Sequence, residues 1–83
     1  MNNFLEIPKE IISKEPKLTI VGFNQMLIEN YKGILEYEDF IIRISTEIGI
    51  IYINGLELNL NQITGDDIMV TGKIEGIELE KTC

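Results

Sequence analysis

The chain contains no histidine and no tryptophan, and its one cysteine, Cys83, is the last of 83 residues. An internal disulfide is therefore impossible, and one thiol among scattered carboxylates makes no zinc site. Without histidine, a hydroxyl such as that of Ser13 or Ser45 lacks the usual base that turns it into a nucleophile. Basic residues are scarce, with 7 Lys and Arg against 14 Asp and Glu, for a net charge of −7. Phosphate binding needs clustered cations, so nucleic acid is excluded as a partner, and direct adhesion to anionic lipid is disfavoured for the same reason. Long apolar runs are missing too: nothing approaches the roughly 20 residues that cross a bilayer. The start, "MNNFLEIPKEIISKEP", has no basic head followed by an apolar stretch, so it does not read as a secretory signal. These absences point to a cytoplasmic chain with a reduced thiol. Three Phe and three Tyr are little from which to build an aromatic-lined pocket.

What remains is a small chain rich in aliphatic residues. Eighty-three residues make one domain with a thin core. With neither disulfide nor metal to help, packing or self-association must supply its stability. Residues 1–16 differ from the rest. Ile7, Ile11 and Ile12 give a short helix one apolar side, Pro8 suits a first helical position, and Pro16 biases Glu15 away from helix. The pattern predicts a helix over about residues 8–14.

From Lys17 the period changes to two. "KLTIV", "QMLIE", "ILEYE", "FIIRIS", "GIIYI", "LELNLNQ", "IMVTG" and "IEGIELE" succeed one another, separated by turn residues such as Gly22, Gly33, Asn54-Gly55 and "TGDD". The reading is an all-β domain over 17–83, with about eight short, mainly antiparallel strands in a small sandwich or open barrel, behind the 1–16 segment. Glycines 22, 55 and 72 each sit between two aliphatic alternations, where a short sheet can bend so that both halves cover one core. Strands 49–53 and 56–62 are expected to join at Asn54-Gly55. The weak likeness of "LTIVGFNQMLIE" to "IMVTGKIEGIELE" fits a meander better than the turns of a stacked β-solenoid. Alternation places Leu35, Ile42, Ile44, Ile53, Leu58, Val70 and Ile77 in the core. Phe40, Leu56, Leu60 and Leu79 share their inward faces.

The order of the segments resembles the YabP/YqfC family of sporulation proteins, and its YqfC branch in particular. The matching features are Ile7-Pro8-Lys9-Glu10, then Ile28-Glu29-Asn30 with Gly33-Ile34-Leu35-Glu36. Thr46 and Gly49 come next, with Ile51, Ile53, Gly55 and Leu58, and finally Gly72-Lys73-Ile74-Glu75-Gly76-Ile77. The resemblance runs from about Phe4 to Leu79. It implies a non-enzymatic protein of endospore formation in the mother cell, held near the forespore membrane by a partner. A membrane-associated sporulation protein is the partner it suggests. No catalytic residues come with it.

The residues themselves agree that chemistry is thin. A calcium loop needs oxygens at several fixed spacings and a terminal Glu, whereas "TGDDIMVTGKIE" offers only the first pair, Asp66-Asp67. Glu36, Glu38 and Asp39 are denser, but two of them alternate with core positions along a strand. No metal, cofactor or catalytic residue is expected. The oddity is the second strand face. With Leu35, Phe40, Ile42, Ile44 and Ile53 inward, Ile34, Ile41, Ile50 and Tyr52 point the other way. These residues are the candidate interaction face. Either the N-terminal helix covers one side of the sheet or the face associates, with a second copy or with the partner. The competing reading is a small regulatory or ligand-binding β domain of the cell envelope.

Overall fold

β-Branched residues alternating with polar ones carry nearly all of the chain from Lys17 onward into strands. The computed structural model describes residues 15–82, so the helix expected at 8–14 lies outside the described residues. Six strands run in order: β1 (Lys17–Val21), β2 (Gln25–Glu29), β3 (Tyr31–Tyr37), β4 (Ile41–Thr46), β5 (Gly49–Asn61) and β6 (Asp67–Lys81). They form one open sheet in the order β1-β2-β6-β5-β4-β3, and every neighbouring pair is antiparallel.

The expected eight strands are six because two apparent breaks are not breaks. "GIIYI" and "LELNLNQ" are one strand, β5, and "IMVTG" and "IEGIELE" are one strand, β6. Asn54-Gly55 is thus no hairpin. The ladder slips there and again between Leu56 and Asn59, where Glu57 takes φ 53. Opposite it, Gly72 sits at φ 121, a conformation that side chains rarely adopt. A Cβ on Gly72 would strike the Glu57 carbonyl, and one on Gly55 would strike the Lys73 carbonyl. The bulges bend both long strands at the same level, and a bulged strand bends without ending.

The bend lets one sheet act as two layers. Beyond it β6 pairs with β2, through Met26↔Val70 and Ile28↔Ile68; before it β5 pairs with β4, through Ile42↔Ile53 and Ile44↔Ile51. Side chains from both halves join in one buried cluster: Met26, Ile28, Ile68 and Val70 with Ile42, Ile44, Ile51, Ile53 and Leu58. The architecture is therefore an open folded sheet.

The corners are closed by polar groups. Asn30, at φ 65, is the whole β2–β3 connection; its amide donates to the Asp66 carbonyl at 2.8 Å. Thr46 is the one buried polar side chain among the described residues. Its hydroxyl donates to the Gly49 carbonyl (2.7 Å) and accepts from the amides of Gly49 (3.1 Å) and Ile48 (3.3 Å). A buried hydroxyl so bonded turns β4 into β5 at little desolvation cost.

Five of the seven expected core residues are buried: Ile42, Ile44, Ile53, Leu58 and Val70. Ile77 is half-buried. Leu35 is exposed, because β3 slips between Ile34 and Glu36 and leaves it as the extra residue of an edge strand. Phe40 precedes β4 and lies exposed in the connection, and Leu56 is exposed because the bulge falls between it and Leu58. Leu79 does face inward, opposite Ile51, yet it stands 70% exposed near the end of β6.

Candidate docking surfaces

The outer face of the β3–β4–β5 half carries three of the four residues singled out in the sequence. Ile41, Ile50 and Tyr52 lie on that face and are half-buried. Between them runs a polar row. Arg43 Nε donates to Glu36 Oε1 at 2.8 Å, and the Tyr52 hydroxyl donates to Glu80 Oε1 at 2.5 Å. The Glu36 carboxylate holds Arg43 above its usual pKa, so this cation persists at any physiological pH. The bond to Glu80 raises the Tyr52 phenol in turn, with Arg43 partly opposing it. The face is thus amphipathic, with two isoleucines and a tyrosine ring around an ion pair.

Ile34 is not with them. The register places it opposite the buried Ile44, on the inner side of the edge strand, and it is exposed there. Strict alternation across "GILEYEDF" misses the two slips in β3, and each slip reverses the facing of the residues beyond it. Tyr37 faces inward opposite Ile42. Its hydroxyl accepts from the Leu60 amide at 3.2 Å and donates to Asn59 Oδ1 at 3.4 Å.

A second apolar surface lies at the bend. The Asp39 and Phe40 carbonyls accept from the Leu58 and Gly55 amides, seating the β3–β4 connection against β5. The Phe23 and Asn24 carbonyls accept from Ile74 and Gly72, seating the β1–β2 turn against β6. Leu56 and Lys73 face each other between them. Phe40 and Leu56 share one hollow with Lys73, and Phe23 is 80% exposed. The sequence hides the meeting of Phe40 and Leu56 because they come from separate segments.

The acidic candidates are dispersed. Glu36 is paired with Arg43, and Asp39 serves through its backbone. Asp66 and Asp67 form a turn whose amides donate to Thr64 Oγ1 at 3.3 and 2.9 Å. Among the described residues no three His, Cys, Asp or Glu side chains gather as metal ligands, and no helix is long and apolar enough to cross a membrane.

Fold and surface together define a small all-β domain whose distinctive features are apolar patches on a bent sheet. The YabP family model matches residues 13–82, and the chain belongs to the YabP family. It is also similar to the uncharacterized protein YqfC of Bacillus subtilis (strain 168), with 30% identity over 71 residues, covering 86% of this chain and 76% of that protein. No solved structure matches.

Proposed function

We propose that this protein is a non-enzymatic assembly or scaffold factor of endospore formation. It acts in the mother-cell cytoplasm and docks on a membrane-associated sporulation protein, which holds it peripherally at the forespore membrane. The resemblance to sporulation proteins supports the process. One observation carries the docking role: large apolar side chains stay exposed together, with Phe40 beside Leu56 at the bend. Single exposed aliphatics are ordinary, but contiguous ones mark association surfaces. The half-buried Ile41, Ile50 and Tyr52 extend the docking reading to the outer face. Each such side chain, once covered, contributes about 1.5–3 kcal/mol before the costs of association. A handful suffices for a partner complex or an isologous dimer.

The test is co-purification from sporulating cells, alongside sedimentation of the pure protein. Wild type is expected to capture a membrane-associated partner or to self-associate. Ile41→Asp, Ile50→Asp and the pair Phe40→Asp/Leu56→Asp are expected to abolish this in at least one case, with circular dichroism unchanged. A monomer at high concentration that captures nothing would refute the docking role.

A further inference from the structure

The two halves of the sheet do not close at the end away from the bend. There β1 stands across from the β4–β5 turn and the end of β6, leaving an apolar groove of about 380 Å³. Pro16, Leu18, Ile48, Ile51 and Leu79 line it. Leu18 and Ile51 are inner-face residues, and Leu79, also inner, is largely exposed because nothing described lies over it. The β2 ladder on β6 stops at Thr71, so the half of β6 that carries Leu79 has strand neighbours only on its β5 side among the described residues.

We propose that this groove is the seat of the chain's own N-terminal segment, with Ile7, Ile11 and Ile12 as the side chains that fill it. Three observations carry this. First, one wall of the groove is Pro16, four residues after Ile12 in sequence, so the segment is tethered at the groove itself. At about 1.5 Å per residue as helix, or up to about 3.5 Å extended, Ile7 reaches any point of it. Second, the pattern of the segment matches an apolar seat. At about 100° per residue, Ile7, Ile11 and Ile12 fall within one arc, while Lys9, Glu10, Ser13 and Lys14 fall on the other. Third, the groove leaves the inner-face Leu79 and the neighbouring Ile48 exposed, side chains that a thin core has reason to cover, and no described strand covers them. A second copy is the competing occupant, and the experiment separates it.

Cys83, the sole thiol, is a native attachment point and directly follows Thr82, whose amide donates to the carbonyl of the groove residue Ile48 at 3.1 Å. A nitroxide placed there in the full-length, nitrogen-15-labelled protein reads proximity by broadening amide signals. Broadening at residues 4–12 that disappears in Leu79→Asp and in Ile11→Asp supports the proposal. Leu79 is exposed enough for its variant to fold, and the amide spectrum of β2 and β4 checks this. Broadening that fades evenly with distance from Pro16 and survives in both variants describes a tethered tail and overturns it. No broadening at these residues overturns it as well. Broadening found only when spin-labelled, unlabelled-nitrogen chains are mixed with nitrogen-15-labelled Cys83→Ser chains assigns the groove to a second copy, again overturning it.

Discussion

Leu58→Ala and Leu56→Ala are, by sequence, the same perturbation: two leucines two residues apart in "LELNL", in phase with each other. The structure separates them. Leu58 is 1% exposed and belongs to the single buried cluster, whereas Leu56 is 50% exposed across from Lys73. Leu58 also occupies the point where the sheet folds. Its amide donates to the Asp39 carbonyl at 2.9 Å, and its side chain lies over Gly55. Truncating a fully buried leucine costs about 2–5 kcal/mol, from lost transfer energy and the cavity left behind. The upper part of that range is expected, because the glycine beneath Leu58 has no side chain to relax into the space. Total stability at roughly 0.05–0.15 kcal/mol per residue comes to about 4–12 kcal/mol for a chain of this length. The variant therefore loses a large share of it. In urea, with a slope of about 1 kcal/mol/M for so small a domain, the midpoint falls by about 3.5 M or more. Leu56→Ala moves it by less than about 0.5 M, as surface substitutions do. Equal shifts for the two variants, or an unchanged midpoint for Leu58→Ala, would refute the placement of the bulge at Glu57 and with it the bent-sheet core.

Gly72→Ala is expected to cost about 1–3 kcal/mol or more, since it combines a left-handed backbone with a collision at the Glu57 carbonyl; thermal unfolding measures it. Thr46→Val keeps the shape of the side chain but strips the amides of Ile48 and Gly49 of their acceptor, at about 1–3 kcal/mol on the same assay. Tyr52 is expected to ionise later than an ordinary phenol, and Glu80→Gln to bring it back down in an ultraviolet alkaline titration. Because its folded pKa is raised, the stability Tyr52 contributes is complete below the unfolded phenol value of about 10 and is lost as pH rises through the folded one; Glu80→Gln should flatten that alkaline decline.

The sequence was most legible where periodicity was unbroken. In "FIIRIS" and "GIIYI" the inward Ile42, Ile44 and Ile53 are buried as expected in β4 and β5, whereas Phe40, just ahead of β4, is exposed. The glycines at 55 and 72 were readable as points of bending, because a backbone that must pass close to a neighbour leaves few other choices. Legibility failed at slips in register. In β3 they exposed Leu35 and moved Ile34 away from Ile41, Ile50 and Tyr52. At Glu57 they separated Leu56 from Leu58. Among the interaction candidates, Ile41, Ile50 and Tyr52 do share a face, but the apolar pair Phe40 and Leu56 at the bend could not be found by reading along the chain. Phe40 and Leu56 meet only through the backbone bonds that seat the β3–β4 connection on β5.

By itself, then, the order of side chains determines that this chain forms strands and that glycine marks where they turn aside. Those properties are local: alternation needs only neighbours two residues apart, and positive φ needs only a missing Cβ. Whether a glycine ends a strand or bulges it is not local. That depends on whether a partner strand continues opposite, and here β5 and β6 continue opposite each other through the slip. Tertiary pairing alone therefore made six strands of eight segments, folded one sheet onto itself, and decided which aliphatic side chains are buried, which are half-covered along the outer face, and which remain exposed at the bend and in the groove.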